Sequence, residues 1–291
     1  MDEQRWLAER FEEHRPHLRA VAYRLLGSLS EADDAVQETW LRASRSNTTE
    51  VENLGGWLTT IAARVSLNLL RSRRTRREEP LGPHVPDPII DAVDQTHPEH
   101  EALIGDSLGL ALLVVLEKLT PAERLAFVLH ETFAIPFDEI APILDRTPAA
   151  TRQLASRARR RVRGGAPAPD GDLTAQWEVV DAFLAAARDG DLNRLVSVLH
   201  PDVVLRADAG AMGWSREVQG AEAVAGQAVS WTLPDLVTQR VLVNGVAGYL
   251  ATRGGEPFSA GAFTVRDEKV VALDILADPA RLARLELPAG G

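Results

Sequence analysis

The sequence contains no cysteine, and aromatic residues make up only 5% of its 291 residues. Without cysteine the chain cannot form disulfides, thiolate zinc sites, iron–sulfur clusters or a cysteine nucleophile. Long hydrophobic runs are also lacking, because the most apolar stretch, 108–116, is about half the length that spans a bilayer. Residues 1–6 are polar, which is not typical of a signal peptide, so we expect a cytoplasmic protein.

Lysine is nearly absent, with two lysines against thirty arginines, and the chain as a whole carries a net charge of −10. The arginines are concentrated in two stretches, 64–77 and 152–163, and each stretch ends a segment with helical apolar spacing. Concentrated positive charge on an acidic chain is typical of phosphate recognition, which gains free energy from counterion release. The sequence therefore predicts two basic helices that contact nucleic acid separately.

Composition divides the chain into five parts. Residues 1–77 have helical periodicity, and 78–106 carry eight acidic residues and five prolines but no Lys or Arg, which predicts an extended acidic linker. Helical periodicity resumes over 107–164, and a flexible linker rich in Gly and Pro follows at 165–172.

The last part, 173–291, opens with an apolar helix and continues with four runs that have strand character, at 237–243, 248–252, 258–265 and 270–276. Residues 172–291 hold ten basic and sixteen acidic side chains, so this part is a poor DNA binder. The predicted fold class is multidomain, with two all-α helical domains followed by an α+β domain.

The second helical part has the pattern of a helix-turn-helix. Thr120, Pro121 and Glu123 supply a cap, a proline at the first helical position and a glutamate at the third, which predicts a helix start. A short helix at 137–144 follows, and Thr147 and Pro148 can begin the next one. A short helix, a tight turn and a long basic helix form the plan of this DNA-binding motif.

In the last helix Leu154, Ala158 and Val162 repeat every four residues, which predicts a buried stripe. The candidate DNA contacts on the opposite face are Arg152, Gln153, Ser156, Arg157 and Arg160. Arginine and glutamine can bond bidentately to base edges in the major groove, whereas arginines near the end of the helix suit phosphate. The alternative is an arginine-rich face that is simply solvated.

The first helical part contains an amphipathic helix at 30–42, in which Val36 and Trp40 point one way. The opposite side is an acidic ridge formed by Asp33, Asp34, Gln37 and Glu38. Residues 56–64 then lead into the first arginine-rich stretch, with Trp57 near the basic surface. An aromatic ring beside cations suits single-stranded DNA, although simple core packing is an equal alternative for Trp57.

These segments resemble bacterial RNA polymerase sigma factors of the extracytoplasmic-function (ECF) group. The stretch D-D-A-V-Q-E-T-W-L-R resembles region 2.2, which docks on the polymerase β′ clamp, and G-W-L-T-T-I-A-A-R resembles regions 2.3 and 2.4, which recognise and open the −10 element. Residues 119–163 resemble region 4, which recognises the −35 element. The resemblance implies the β′ clamp and β flap of core polymerase and promoter DNA as partners.

The resemblance also assigns residue roles. It implies that core polymerase is contacted by Asp34, Gln37 and Glu38. It implies that the −10 DNA lies against Asn53, Trp57, Arg64, Asn68 and Arg71. Asn68 departs from the acidic residue that is common at its position in the family.

The C-terminal part resembles the extension of one ECF subgroup, a SnoaL-like cone fold related to nuclear transport factors. H-V-P-D-P at 84–88 stands where that subgroup has W-L-P-E-P, and D-P-A-R-L at 278–282 stands where it has N-P-D-K-L. The resemblance implies that this domain regulates the helical part in cis. The residues of the implied contact are Asp208, Asp278, Pro279 and Leu282.

Two further functions stay open for the C-terminal part. Cone folds enclose a pocket, which leaves room for a small-molecule ligand, and enzymes on this fold use a carboxylate that Asp181, Asp208 or Asp274 could supply for a cyclase or isomerase. A ligand-responsive helix-turn-helix regulator is the other alternative.

Neither a metal nor a cofactor is expected. His97, Glu99, His100 and Glu101 have zinc-binding side chains, but they lie in a proline-containing linker that fixes no geometry. The sequence also lacks a P-loop or a dinucleotide fingerprint.

Overall fold

The computed structural model describes residues 2–48, 51–76, 82–94, 100, 103, 109–165, 169–231, 233 and 235–288. These residues form two compact units. The first contains 2–48, 51–76, 103 and 115–165, and the second contains 82–94, 100, 109–114 and the described residues from 169 to 288.

The N-terminal part of the first unit consists of three helices, α1 (Asp2–Leu26), α2 (Leu29–Ala43) and α3 (Leu54–Arg76). They pack around an apolar cluster that includes Phe11, Leu18, Val36, Leu58 and Ala62. On α2 the buried positions recur every three or four residues, as expected for a helix with one face on a core.

The helices after the linker are α4 (Leu110–Glu117), α5 (Pro121–Phe127), α6 (Phe137–Leu144) and α7 (Pro148–Gly165), with a π-helical turn at Val128–Thr132. The predicted capping box is present: Glu123 N donates to Thr120 Oγ1 at 3.3 Å, and Thr120 N donates to Glu123 Oε2 at 3.1 Å. Helix α6 is capped at its C-terminus by Asp145, whose φ of 55° is left-handed and turns the chain towards α7. The helix-turn-helix geometry predicted from the sequence is therefore found.

Four helices belong to the C-terminal part of the second unit: α8 (Leu173–Asp189), α9 (Leu192–Val198), α10 (Ala221–Trp231) and α11 (Pro279–Leu282). The strands are β1 (Ile90–Ala92), β2 (Leu199–Asp208), β3 (Arg216–Gln219), β4 (Leu236–Val243), β5 (Val246–Arg253), β6 (Glu256–Arg266) and β7 (Lys269–Leu276). Within the described residues they form one sheet in the order β1-β4-β5-β6-β7-β2-β3, with β2 and β7 parallel and the other pairs antiparallel. Val180, Phe183, Leu205, Phe263 and Leu273 belong to the core beneath it. The predicted α+β class is confirmed.

The four predicted strands correspond to β4 to β7, whereas β1, β2 and β3 were not predicted. Strand β2 contains Pro201, and its pairing with β7 is irregular between Leu199 and Val204, which disrupts the alternating pattern. Strand β3 is a four-residue edge strand with mostly exposed side chains. Strand β1 has three residues and is held by tertiary pairing rather than by its own sequence pattern.

The described part of the predicted acidic linker is not a free connection. Of its residues 78–106, the described segment 82–94 belongs to the second unit, where β1 pairs with β4 and aligns Ile90 with Val243. Next to β1, the backbone amide of Asn244 donates to the carbonyl oxygen of Ile89 at 2.8 Å. The backbone amide of Ile89 donates in turn to Asn244 Oδ1 at 3.1 Å. The acidic composition of this segment predicted a solvated spacer. Ile89 and Ile90 are instead buried, because they are apolar and the edge of β4 offers backbone hydrogen-bond partners.

Candidate nucleic-acid interface

Helix α7 presents the predicted DNA-contact face to solvent. The exposed side chains include all five candidates: Arg152, Gln153, Ser156, Arg157 and Arg160. The buried stripe is shifted from the predicted one, because Thr151, Ala155 and Ala158 are buried whereas Leu154 and Val162 are only half-buried.

Two glutamates fix this helix from behind. Glu123 is buried, and its carboxylate accepts from Arg161 Nη1 at 2.7 Å and lies 3.5 Å from Arg157 Nε. Burial alone would raise the pKa of Glu123, but the hydrogen bonds from Thr120 and the charges of Arg161 and Arg157 outweigh it and lower that pKa. Glu131 similarly pairs with Arg159. These pairs orient the helix and leave most of its exposed face open, although they engage Arg157, one of the five candidates.

The aromatic ring of Phe137 orients another candidate. The Arg152 guanidinium lies 5.3 Å from the centroid of that ring, in cation–π geometry. The charge of Arg152, in the second turn of α7, is therefore held against α6.

Helix α3 carries a second basic face. Arg64, Asn68 and Arg71 are exposed and are spaced by four and three residues, which places them on one side of the helix. Arg64 Nη2 donates to the carbonyl oxygen of Pro142 in α6 at 3.5 Å, so this face lies beside α6 within the first unit.

The two other −10 candidates have local structural roles. Asn53 is exposed, and its Oδ1 accepts from the backbone amide of Gly56 at 2.9 Å, which caps the start of α3. Asn53 also lines a hollow of about 370 Å³ that includes Thr59 and Phe133. Trp57 is half-buried against the cluster around Phe11, which favours the packing interpretation of this residue.

The acidic ridge on α2 is divided by ion pairs. Asp33 accepts from Arg19 Nε at 2.6 Å, and Glu38 accepts from Arg42 Nε at 2.7 Å. Asp34 and Gln37 are exposed between them. The open part of the ridge is therefore narrower than its sequence indicates.

In the second unit the linker is attached by a cluster that we call the linker contact, formed by His84, Val85, Asp87, Asp208 and Arg281. One Asp208 oxygen accepts from Val85 N at 3.1 Å and Arg281 Nη1 at 2.8 Å, and lies 3.0 Å from His84 Nδ1. Arg281 also donates to Asp87 Oδ1 at 2.8 Å and to Val85 O at 2.6 Å. Each charged group thus has an opposite charge or a backbone partner.

Asp208 stays ionised in this cluster. Burial would raise the pKa of Asp208, but hydrogen bonds from His84, Val85 and Gly210 and the charge of Arg281 outweigh it, and the pKa falls from 3.8 to about 2. The carboxylate therefore keeps its charge throughout the neutral and mildly acidic range.

Helix α11 positions Arg281 for this contact. Asp278 caps the helix by accepting from Ala280 N at 2.9 Å, Pro279 opens it, and Leu282 anchors it at 1% exposure. Gly210 has a φ of 54°, and a Cβ there would lie 2.1 Å from Asp278 Oδ2, so only glycine fits. Of the four predicted regulatory residues, Asp208 touches the linker directly, and the other three build the helix.

Arg281 is the central residue of the linker contact, and the sequence did not predict it. It occupies the position of the lysine in the N-P-D-K-L signature, so a cation there was a usable signal. Its linker partners could not be predicted, because they lie almost two hundred positions away in the chain.

Two segments of the chain match known protein families. Residues 10–76 match the family model Sigma-70 region 2, and 109–162 match Sigma-70, region 4. The chain is 40% identical over 286 residues to the ECF RNA polymerase sigma factor SigJ of Mycobacterium tuberculosis, covering 92% of this chain and 91% of the relative. The chain belongs to the ECF RNA polymerase sigma factors.

Further similarities agree with this assignment. A Mycobacterium tuberculosis protein named "Probable ECF RNA polymerase sigma factor SigI" is 33% identical over 284 residues, covering 96% of this chain and 95% of the relative. The crystal structure of SigJ aligns with a TM-score of 0.76 at 35% identity, covering 97% of this chain and all of that one.

As an ECF sigma factor, the protein binds core RNA polymerase and promoter DNA and directs transcription initiation; it is not an enzyme. The alternative of a regulator that uses only its helix-turn-helix is not supported, because the sigma region 2 match accounts for the first helical part.

The three aspartates considered as catalytic bases in this sigma factor do not converge. Asp181 pairs with Arg240, Asp274 is buried 3.0 Å from Arg206 Nη1, and Asp208 belongs to the linker contact. None of them is among the residues lining the cavity of about 660 Å³ in the second unit. The cyclase or isomerase alternative therefore loses its candidate base.

The metal hypothesis of the linker falls mostly outside the described residues, which exclude His97, Glu99 and Glu101. His100 is described, and its Nδ1 lies 2.6 Å from Asp91 Oδ1. Within the described part of the sigma factor, no group of three His, Asp or Glu side chains could hold a metal ion. No helix in that part is long and apolar enough to cross a bilayer.

Proposed function

We propose that this sigma factor binds one promoter through two separate basic faces, with α7 at the −35 element and α3 at the −10 element. The observation that supports this most directly is the exposure of all five α7 candidates on a helix whose back is fixed by Glu123 and Glu131. A rigid support lowers the entropy cost of ordering these side chains on DNA.

On α7 we assign the roles by position. Arg152 and Gln153 lie in the first turns of the helix, the part that enters the major groove in this motif, and they contact base edges. Ser156, Arg157 and Arg160 contact the backbone, where they set affinity and register but little sequence choice.

On α3 we assign Arg64 and Arg71 to −10 phosphates, with Asn68 between them and Asn53 near an unstacked base. Extruding a base costs a few kcal/mol, which polymerase and phosphate contacts offset. Trp57 supports this face from the core side. In the free protein Arg64 is engaged with Pro142, so DNA must replace that hydrogen bond.

The acidic ridge of α2 is the proposed surface for the β′ clamp, through Asp34, Gln37 and Glu38. Asp34 and Gln37 are exposed, and Glu38 can exchange Arg42 for a basic partner residue. The β flap is the second proposed polymerase contact.

The C-terminal domain is proposed to regulate transcription in cis by binding the linker. Asp208 contacts residues 84 and 85 directly, whereas Asp278, Pro279 and Leu282 hold Arg281 in place. Because β1 also pairs with β4, the connection between the two sigma domains is tethered at two places. A small molecule in the cavity of this domain is the proposed signal.

In vitro transcription with core polymerase tests the proposal. Across a promoter library, the wild-type protein should select a subset of promoters, and Gln153→Ala should change which −35 sequences are selected. Arg281→Ala should alter transcript yield while polymerase binding stays detectable. Failure of the purified protein to form a holoenzyme would contradict the whole proposal, whereas equal yields from the wild type and Arg281→Ala would contradict only the regulatory part.

A further inference from the structure

The cavity of the second unit has the size of a small-molecule site. It is a partly open cavity of about 660 Å³ between α8, the end of α10 and the inner face of the sheet. Pockets that bury organic ligands are typically about 300–1,000 Å³, with mainly apolar walls and a few polar groups. The side chains that dominate the walls are Phe183, Trp214, Trp231, Tyr249, Phe258 and Leu273.

The aromatic walls are held in place by contacts with one another. Trp214 and Trp231 form an edge-to-face pair with ring centroids 5.4 Å apart. Phe183 and Tyr249 both pack against the fully buried Phe263, at 5.2 and 6.0 Å. Rings fixed in this way offer flat surfaces to a ligand. Their side-chain entropy is already lost when the domain folds, so binding does not have to order them.

Two irregularities of the sheet shape the cavity. Ala251 pairs with Ser259 and Thr252 with Pro257, so Phe258 is an extra residue, and this bulge lets Phe258 and Ser259 both line the cavity.

The second irregularity is a glycine beneath Tyr249. Tyr249 pairs across the strands with Gly261, where a Cβ would lie 2.3 Å from the tyrosine ring. The glycine therefore makes room for the ring against the sheet.

The polar groups of the cavity are few and mostly neutral. Burial raises the pKa of Tyr249 to about 12, although a hydrogen bond with Ser259 partly opposes this, so its hydroxyl remains protonated. Arg188, exposed in the last turn of α8, is the one charged side chain among the described residues that line the cavity. With no lining carboxylate in the described chain, a cationic ligand would meet only like charge.

We propose that this cavity binds a flat, ring-bearing organic molecule that is neutral or carries one carboxylate. Its rings lie between the aromatic walls, its carbonyl or hydroxyl oxygen hydrogen-bonds with the Tyr249 and Ser259 pair, and a carboxylate, when present, faces Arg188. The inference deepens the proposed regulatory function of the C-terminal domain and rests on it for its biological meaning.

Three naphthalene probes that differ in one substituent test the ligand class: 2-naphthol, 2-naphthoic acid and 2-(aminomethyl)naphthalene. Each is titrated into the full-length protein, without polymerase, and its affinity is measured by ligand-observed NMR. The neutral and anionic probes should bind, and the cationic probe should bind about tenfold more weakly. Absence of binding by every probe at millimolar concentration, or equal binding by all three, would overturn the proposal.

Conservative variants test the placement. Tyr249→Phe should weaken 2-naphthol about fivefold, in the range of one lost neutral hydrogen bond. Arg188→Gln should weaken 2-naphthoic acid about threefold, as expected for an exposed ion pair, and leave 2-naphthol unchanged. Arg194→Gln, at an exposed position on α9 that does not line the cavity, is the matched control and should change neither.

A cavity-filling variant completes the design. Ala251→Phe should abolish binding of every probe. Circular dichroism and the thermal unfolding midpoint of this variant show whether the domain is folded. If it is not folded, the test depends on Tyr249→Phe and Arg188→Gln. Unchanged affinity in both of these conservative variants would overturn the assigned site. Probe binding without any effect on transcription would leave the site standing and count against the proposed regulatory function.

Discussion

In the first unit the arginines of α7 lie largely at the surface, whereas in the second unit Arg281 and Arg206 are mostly buried among carboxylates, with side chains 19% and 10% exposed. The same side chain therefore serves two purposes. Where no acidic residue covers it, arginine is available to DNA phosphates and base edges. Where Asp87, Asp208 or Asp274 surrounds it, arginine becomes a structural connector.

Removing the connector should have the largest effect. Arg281→Ala removes the guanidinium that the buried Asp87 and Asp208 share, so we expect a loss of about 3 kcal/mol in the stability of the second unit and faster amide exchange over residues 84–91. Urea unfolding and hydrogen exchange measure both.

Arg281→Lys is the matched control, and it should recover only part of this stability, because one ammonium group cannot reproduce the three-way hydrogen bonding of the guanidinium. If Arg281→Ala left both unfolding and exchange unchanged, the linker contact would contribute nothing to holding the linker.

The second prediction concerns pH. The pKa of Asp208 is about 2 in the folded state against 3.8 ordinarily, so the unfolded chain takes up this proton first as pH falls. The contribution of the charge, about 2 kcal/mol, is fully present above about pH 5 and is lost between about pH 4 and pH 2.

Comparing the wild type with Asp208→Asn across this range tests the sign. The difference in unfolding free energy should shrink as the pH falls from about 4 to about 2. A difference in unfolding free energy that grows on acidification would contradict the lowered pKa of Asp208.

The third prediction tests the open arginine face. Arg160→Ala should weaken holoenzyme binding severalfold on all promoters and reduce the slope of log affinity against log salt by about 1, because one phosphate contact is lost. Gln153→Ala should instead weaken only promoters with the preferred −35 sequence. Fluorescence anisotropy at several salt concentrations separates the two, and identical profiles for both variants would remove the proposed division of roles.

The smallest change in stability is expected on α2. Asp34→Ala should leave the unfolding free energy within about 0.5 kcal/mol, since the side chain is exposed, while weakening polymerase binding severalfold. Asp33→Ala on the same ridge removes a carboxylate already paired with Arg19 and should affect polymerase binding less. Equal binding by both variants and the wild type, measured with core enzyme, would move the polymerase contact away from this ridge.

Local sequence signals predicted helix starts well because the deciding interactions lie within four residues. The capping box of Thr120 and Glu123 is one case, and the bounds of α6 at 137 and 144 are another. The exposed set on α7 followed from the helical period. The set on α3 came from the resemblance to sigma factors and not from its own periodicity. The buried stripe of α7 shifted from Leu154 to Thr151 and Ala155, because the helix packs against α5 and α6 and not against an idealised plane.

By itself the sequence determined the two basic helices, the acidic ridge and the order of α and α+β parts, since charge, caps and periodicity are properties of neighbouring residues. Only the tertiary structure decided that an acidic, proline-containing segment becomes an edge strand and that Arg281 joins Asp87 to Asp208. The same holds for the aromatic cavity, whose walls come from α8, α10 and five strands. Such contacts join residues that are far apart in the chain, so long loops must close before they form. Which residues meet is decided by the packing of the whole domain, and no short segment of sequence predicts it.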